Sequence, residues 1–216
     1  MNKGAVTGFL ICFAIASFLF SCENKTVDYG LDKYYVEIVT ALNSKEFQLD
    51  NGKIIIATSE EKTKAYVLGD RVLVNYTLLS DKDVEDNYSV RINGSAKIPL
   101  GKLTLSSDSA INASMKEPVL LESVWLGSQY LNMKFYINYK SASHSIGLLT
   151  DSMRLESDTL RMYFVHNTNN DPPGYPSNAY LSFNLKDVLG EPKNGRVISM
   201  QINTSNLGDK IFDFKY

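Results

Sequence analysis

Cysteine is scarce in this sequence, and both cysteines lie near one end. Of 216 residues only Cys12 and Cys22 are cysteine, so residues 23–216 contain no thiol. That stretch cannot form a disulfide, a thiolate metal site or a cysteine nucleophile. A fold without such cross-links depends on its hydrophobic core, which favours a well-packed sandwich or barrel.

The sequence also lacks the local signatures of common enzymes. It contains no Gly-x-Ser-x-Gly turn, no glycine-rich phosphate loop and no His-Glu-x-x-His zinc motif. No pair of acids stands out as a glycosidase pair. We therefore predict no catalytic residue, no metal and no cofactor, and a chain that is not an enzyme. A hydrolase whose acids are brought together only by folding is the alternative.

A strong charge of one sign is likewise missing. The formal net charge is −2, and Lys3 is the only charged residue among the first 21. Proteins that bind nucleic acids neutralise phosphates with clustered lysine and arginine. The weakly acidic balance therefore argues against a nucleic acid as partner.

One apolar run, from Gly8 to Phe20, follows Lys3 and leads into Ser21 and Cys22. It is shorter than the roughly 20 apolar residues that span a bilayer. A positive start, an apolar segment and a small residue are typical of a secretory signal, and a cysteine directly afterwards is the pattern of a bacterial lipoprotein. We predict a signal peptide over 1–21, a lipid on Cys22 and a tether over 22–31. The alternative is an ordinary secretory signal cut elsewhere.

Acylation determines the predicted location. Two or three acyl chains, palmitate among them, anchor a protein stably, whereas one chain binds only marginally. We therefore expect an outer-membrane protein held by its N-terminal lipid, with the periplasmic and the surface face both open.

From about residue 32 onward, apolar residues recur with period two, as in β-strands. The clearest alternation runs from Leu131 to Tyr139. Asn51-Gly52 and Asn93-Gly94 indicate two tight turns, and the first predicts a hairpin with positive φ at both positions. Pro99 indicates an edge or a bend. The pattern lapses over 107–116, which predicts a linker between two modules of an all-β chain.

One loop is the preferred candidate for a binding surface. It follows His166 and contains Asn169, Asn170, Asp171 and Tyr175 among prolines and a glycine. Loops at the end of a sandwich often carry binding residues, and an exposed tyrosine can stack on a sugar or a partner side chain. Calcium is an alternative, because oxygen ligands are crowded there. So is a purely structural turn.

A second candidate is the serine-rich segment around His144. A serine beside a histidine is the minimum of a nucleophilic site, but an orienting acid and a strained elbow are not visible in the sequence. A polar loop is the alternative that we prefer.

The whole arrangement resembles the NigD-like lipoproteins of Bacteroides-type bacteria. The resemblance rests on the cysteine at 22, on Gly69–Tyr76, on Val90–Gly94 and on the strands from Trp125 onward. It implies an OB-like barrel over 32–106 followed by an antiparallel β-sandwich over 117–216. It supplies no catalytic residue, and its name suggests a role in bacteriocin immunity.

Three short segments resemble the O-glycosylation acceptor of proteins exported by Bacteroides-type bacteria. Each places an acid before a hydroxyl and a small or aliphatic residue, at Ser109, Ser152 and Thr159. Modification there would cover loops with bulky polar groups. Three ordinary turns are the alternative.

These observations favour a non-catalytic binding or interaction module at the envelope. Its partner would be a glycan, a peptide or another envelope protein. A bacteriocin-immunity lipoprotein is the alternative function.

Overall fold

The computed structural model describes residues 33–58, 66–79, 87–114, 116–191 and 195–216. Strands make up most of the regular structure in these ranges, which confirms the all-β prediction. The strands are β1 (Tyr34–Ala41), β2 (Glu46–Leu49), β3 (Ile54–Ala57), β4 (Arg71–Leu78), β5 (Asn87–Lys97), β6 (Leu100–Ser106), β7 (Leu120–Gly127), β8 (Tyr130–Tyr139), β9 (Ser145–Asp151), β10 (Thr159–Asn167), β11 (Tyr175–Asn184), β12 (Val197–Thr204) and β13 (Gly208–Lys215). The helices are α1 (Asp108–Ala113), α2 (Lys186–Leu189) and a 3₁₀ turn, Ser152–Arg154. In the described part of the chain, no helix is long and apolar enough to cross a membrane.

The first five strands close into a barrel in the order β1-β2-β3-β5-β4. All neighbours are antiparallel except β3 and β5, which are parallel. This is a five-stranded Greek-key barrel of the OB type, as the family resemblance implies. Its interior is filled by alternate apolar side chains, because successive residues of a strand point to opposite faces. The largest of them are Phe47, Ile55, Tyr76, Leu78 and Tyr88.

The hairpin predicted at Asn51-Gly52 is confirmed, but its turn differs from the expected one. Only Gly52 of the pair has positive φ, at 88°. The Gly52 N–H donates to the Leu49 carbonyl at 2.9 Å, and the Leu49 N–H donates to the Lys53 carbonyl at 2.8 Å. This geometry is a turn followed by a left-handed glycine, in place of a two-residue turn.

The second turn, predicted at Asn93-Gly94, is wrong. β5 runs through both residues, and Asn75 pairs with Gly94 while Tyr76 pairs with Ile92, so Asn93 is one extra residue in the ladder. Such a bulge bends a strand, which a closed barrel requires. The Asn93 amide donates to Asn75 at 3.1 Å and to Thr77 at 3.0 Å, which holds the bulge in place.

The chain passes from the barrel to the second unit at Pro99. The Ile98 N–H still donates to Arg71 of the barrel, whereas the Pro99 carbonyl accepts from Ser182 of the second unit. β6 then pairs with β11 and β9, so it belongs to the second unit. The predicted boundary after residue 106 is therefore corrected to about residue 98. The bend predicted at Pro99 is confirmed.

The second unit is one sheet of eight strands, in the order β13-β12-β10-β9-β6-β11-β8-β7, that folds over its own core. β6 joins its two halves, pairing at Leu100 and Gly101 with β11 and at Lys102–Ser106 with β9. Both halves contribute to one hydrophobic core, as in a sandwich. Most pairs are antiparallel, but β6 with β9, β6 with β11, and β10 with β12 are parallel. Alternation alone does not predict those parallel pairs.

The segment predicted as a linker, 107–116, contains helix α1. The Ser107 hydroxyl accepts a hydrogen bond from the Ala110 N–H at 3.4 Å, and Asp108 lies in the first turn of the helix. Ile111 is buried beneath the helix. A capped helix with one buried apolar residue is therefore present in a segment whose sequence shows no periodicity.

Candidate functional site

A cleft of about 680 Å³ lies between the barrel and the sandwich. The barrel wall comes from β1, the end of β2 and β4, and the opposite wall comes from β7, β8 and β11. The lining residues are Val36, Glu37, Ile38, Leu49, Asp50, Asn51, Leu73, Trp125, Leu126, Gly127, Ser128, Lys134 and Tyr180. Clefts between domains, mostly apolar with a few polar groups, are common ligand sites.

The sandwich wall is the outer face of a three-stranded segment. Leu131, Met133 and Phe135 of β8 point into the core, so the residues between them point outward. Lys134 pairs in register with Ser123 of β7 and Tyr180 of β11.

Trp125, Asn132 and Ser182 form the neighbouring row on the same face. Trp125, the only tryptophan of the sequence, is half-buried there. The strand pairing therefore places tryptophan, tyrosine and lysine side chains on one face of the sheet, in two neighbouring rows.

Arg71 connects the two units beneath the cleft. Its side chain is completely buried, and its guanidinium donates to Asp50 at 2.9 and 3.2 Å, to Thr40 at 2.9 Å and to Asn132 at 2.9 Å. The guanidinium also stacks on the Tyr130 ring, 4.1 Å from its centroid. Asp50 and Thr40 belong to the barrel, while Asn132 and Tyr130 belong to the sandwich. Such a paired, planar arrangement fixes orientation as well as distance.

Two further contacts complete this polar interface. Asn132 is fully buried, donates to Asp50 at 3.1 Å and accepts from the Ser182 hydroxyl at 2.6 Å. At Gly127, an added Cβ would lie 2.0 Å from the nearer carboxylate oxygen of Asp50. A glycine is therefore needed at this position for the barrel loop to meet the sandwich. The two units are held together by a network that leaves one face of the cleft open.

On the barrel wall, Glu37 is oriented by a tyrosine. The Tyr76 hydroxyl donates to the Glu37 carboxylate at 3.0 Å, and Tyr35 stacks on Tyr76 with the ring centroids 5.4 Å apart. Burial, and then the neighbouring charge of Glu37, raise the pKa of Tyr76 far above its usual range. Tyr76 thus stays a hydroxyl donor at every physiological pH, and it fixes the Glu37 carboxylate on the face of β1 that is turned toward the barrel interior, where Glu37 pairs with Val74.

On the sandwich wall, Lys134 is neutralised by its neighbour. Its ammonium forms an ion pair with Glu122 and lies 5.5 Å from the centroid of the Tyr180 ring. The hydrogen bond to Glu122 raises the pKa of Lys134. The wall therefore presents a polar but charge-balanced group beside two aromatic rings.

The structure separates the residues of the predicted binding loop into two groups. Asp171 is a structural group, since its side chain has no exposed surface and its carboxylate accepts from the backbone N–H groups of residues 140, 141 and 142. Asn169 donates to Ser143 and Ser145. Asn170 and Tyr175 remain exposed, Tyr175 by 86%. Whether those two contact a ligand stays a prediction.

The pKa of Asp171 follows from these bonds. Burial of the carboxylate opposes its ionisation, but the N–H groups of Ala142, Lys140 and Ser141 outweigh burial and hold the pKa of Asp171 well below its usual range. The Asp171 carboxylate, which would otherwise attract a cation, already accepts hydrogen bonds from the backbone of the chain itself. Within the described ranges, no group of three or more histidine, cysteine, aspartate or glutamate side chains is placed to hold a metal.

The two histidines meet, which the sequence did not suggest. His144 Nδ1 lies 2.9 Å from His166 Nε2, and His144 Nε2 lies 3.4 Å from Asp171. His166 Nδ1 faces the Glu117 carbonyl at 3.2 Å. Burial lowers the pKa of His166. The His144 and Asp171 side chains are 3% and 0% exposed, so both are enclosed by the fold.

The three predicted modification sites lie on the surface. Ser109 is in α1, Ser152 opens the 3₁₀ turn and Thr159 opens β10, and all three are exposed. Asp151, the acid before Ser152, is used within the fold, where it accepts from the Met153 N–H and pairs with Arg154. Modification itself stays a prediction. Cys22, the signal peptide and the tether lie outside the described residues.

Sequence reasoning missed the cleft because its two walls are distant in the chain. The sequence pattern predicts that Trp125 lies in a strand, and it gives no functional signal for Glu37. The available signal was the single tryptophan at an outward-facing position of a strand.

The second unit of this fold matches a known protein family. The family model for the NigD-like C-terminal beta sandwich domain matches residues 103–216, more than half of the chain. The chain belongs to the NigD-like family. The match begins within β6, in agreement with the assignment of that strand to the sandwich. No curated protein matches the sequence.

Solved structures extend the similarity of this NigD-like chain to both units. A protein of unknown function from Bacteroides vulgatus ATCC 8482 superposes with a TM-score of 0.71 at 20% identity, over 85% of this chain and 91% of that one. A NigD-like immunity protein from Bacteroides caccae ATCC 43185 gives 0.60 at 22%, over 85% and 96%. A protein from Bacteroides fragilis NCTC 9343 whose name describes a lipoprotein gives 0.62 at 10%, over 85% and 98%. These similarities concern the fold.

Proposed function

We propose that this NigD-like chain is a lipid-anchored envelope protein that binds a partner in the cleft between barrel and sandwich, without catalysis. The observation that carries the proposal is the cleft itself, whose lining includes the only tryptophan of the sequence and Tyr180. Tryptophan and tyrosine in a partly enclosed site are typical of binding hot spots. The buried Arg71 network beneath keeps both walls at a fixed separation, which lowers the entropic cost of binding.

The surroundings of the titratable groups support a binding function without catalysis. The histidine cluster is enclosed, and Asp171 is consumed by backbone hydrogen bonds. In the cleft, Lys134 is paired with Glu122 and Asp50 with Arg71. Among the described lining residues, Glu37 is the one carboxylate without a cationic partner, so no acid pair is available there.

The test compares two aromatic variants in capture from the native envelope. The immobilised chain and its Trp125→Ala and Tyr175→Ala variants are incubated with detergent-solubilised envelope, and bound molecules are identified by mass spectrometry and by sugar analysis. We expect Trp125→Ala to lose a ligand that the parent and Tyr175→Ala both retain. A ligand lost by Tyr175→Ala alone would move the site to the sandwich-end loop. No ligand above background for any of the three would refute the proposal.

The lipid anchor is tested separately. The proposal is supported by the Ser21-Cys22 pattern and by the structural neighbour whose name describes a lipoprotein. Cys22→Ser is expected to move the protein from the outer-membrane fraction to the soluble fraction, and to abolish incorporation of labelled palmitate. Outer-membrane retention of Cys22→Ser with the same mass as the parent would contradict the anchor.

A bacteriocin-immunity function is the second candidate, supported by the structural neighbour named as a NigD-like immunity protein. Deletion of the gene is expected to sensitise the cells to a bacteriocin of related strains. Unchanged sensitivity across such strains would remove this candidate and leave the cleft proposal unaffected.

A further inference from the structure

Two cavities lie on the same outer face of the sandwich. The first is the cleft, which reaches Lys134 and Tyr180. The second, of about 350 Å³, is lined by Pro118, Leu120, Tyr136, Asn138, Pro176 and Ser205. Lys134 and Tyr136 are two residues apart on β8, so their side chains point to the same side and lie about 7 Å apart along the strand. The two cavities are therefore neighbours on one surface.

We name this surface the aromatic face and define it by Trp125, Lys134, Tyr136, Asn138 and Tyr180. The first, second and last of these line the cleft, and the other two line the second cavity. β8, which carries three of the five, is hydrogen-bonded to β7 on one edge and to β11 on the other. The aromatic face thus offers rings and side-chain polar groups, while the backbone of its central strand is already paired.

The aromatic face also carries no unbalanced positive charge. Among the described residues that line the two cavities, Lys134 is the one cation, and it is paired with Glu122. An anionic polymer would need uncompensated lysine or arginine. A peptide that adds to a sheet needs a free backbone edge, which on this side of the sheet belongs to β7 and not to β8. Such a peptide would lie beside β7 and would leave the β8 side chains of the aromatic face uncovered.

We propose that the aromatic face binds a neutral polysaccharide chain that lies across both cavities. This rests on the proposed binding function and names its ligand class. A neutral sugar presents apolar C–H surfaces that stack on aromatic rings, and a rim of hydroxyls that both donate and accept hydrogen bonds. Trp125, Tyr136 and Tyr180 supply the rings, and Asn138 supplies both hydrogen-bonding roles.

The single tryptophan makes the test site-specific, because tryptophan emission reports on the cleft alone. The purified chain is titrated with dextran, β-1,3-glucan, β-1,4-mannan and arabinoxylan, with polygalacturonate as the acidic control, and with a library of extended peptides. We expect at least one neutral polymer to change the emission saturably and polygalacturonate to leave it unchanged. Affinity should rise as oligomers of that polymer lengthen.

Tyr136→Ala tests the second cavity, since Tyr136 lies there and not in the cleft. We expect it to weaken binding of the polymer about tenfold and to abolish the gain with oligomer length. Tyr136→Phe keeps the ring and is expected to restore binding, which separates stacking from misfolding. Met153→Ala changes an exposed residue outside both cavities, and this variant is expected to bind like the parent.

The outcomes distinguish this inference from the function on which it rests. A fluorescence response to peptides and to no polysaccharide, or full polymer affinity in Tyr136→Ala, overturns the polysaccharide assignment and leaves a binding cleft. A response to polygalacturonate as strong as to the neutral polymers overturns the neutral class. If polysaccharides, peptides and solubilised envelope all leave the emission unchanged, the proposed function fails as well.

Discussion

The Arg71 network permits a prediction in which the two partners of one ion pair have unequal effects. The Arg71 side chain is fully buried, whereas the Asp50 side chain is 20% exposed. Asp50→Ala leaves a buried guanidinium without its counterion, and removing one partner of a buried pair costs about 3–5 kcal/mol. Because Asp50 retains contact with solvent, we expect the lower end, about 3 kcal/mol.

Arg71→Met is expected to cost less, about 1–2 kcal/mol. Methionine keeps an unbranched apolar stem in the buried position of Arg71, and the Asp50 carboxylate left behind can be hydrated. Arg71 Nε is also the only buried side-chain polar atom without a hydrogen-bond partner in the described ranges, so its removal eliminates one unsatisfied donor. The double variant should therefore be more stable than Asp50→Ala alone.

The assay is urea unfolding at equilibrium, followed by both Trp125 fluorescence and far-ultraviolet circular dichroism. Lys97→Met is the control, because Lys97 is 61% exposed in its ion pair with Asp70 and such pairs contribute about 0–1 kcal/mol. The reasoning is refuted if Arg71→Met destabilises the chain more than Asp50→Ala, or if the double variant is the least stable of the three.

Three further predictions concern packing and pH. Gly101→Ala would place a Cβ 2.2 Å from the buried Phe183 ring, and we expect a loss of about 1–3 kcal/mol in urea unfolding, absent in a Gly94→Ala control. Because the pKa of Asp171 is lowered by folding, its stabilisation is complete above about pH 4 and is lost as pH falls further. Asp171→Asn should therefore be less stable than the parent at pH 7, with a difference that shrinks in acid. Because burial lowers the pKa of His166, the unfolded chain binds that proton more readily, so stability should fall as pH decreases below about 6.5, and His166→Gln should reduce this slope.

The class of fold was predictable because it follows from local alternation. Alternation from Leu131 to Tyr139 predicts the inward positions of β8, and burial confirms them for Leu131, Met133 and Phe135, whereas Tyr139 at the end of the strand is 42% exposed. Asn132 shows the limit of that reasoning, since alternation places it on the outer face together with Lys134, and yet it is fully buried. Period two tells which residues share a face, but it does not tell that the barrel covers part of that face.

Two errors had different physical origins. The signal for α1 was present, since Ser107 followed by Asp108 is a helix start, but a short helix leaves too little periodicity to detect. At Asn93-Gly94 the residues of a turn serve a bulge instead, in which Asn93 is the extra residue and its amide donates to Asn75 and Thr77. The candidate site was predictable only in part, as its walls are brought together by packing between the units.

The position of β6 affects the order in which the two units can fold. The barrel has all of its strands once residue 97 has emerged, whereas β6, which begins three residues later, must wait for β9 and β11 beyond residue 145. Contacts that are distant in sequence form slowly, and domains assemble in the order in which they are delivered. As the chain emerges, the N-terminal unit can thus be complete while the second unit is still unfolded, with β6 already joined to the barrel at Pro99.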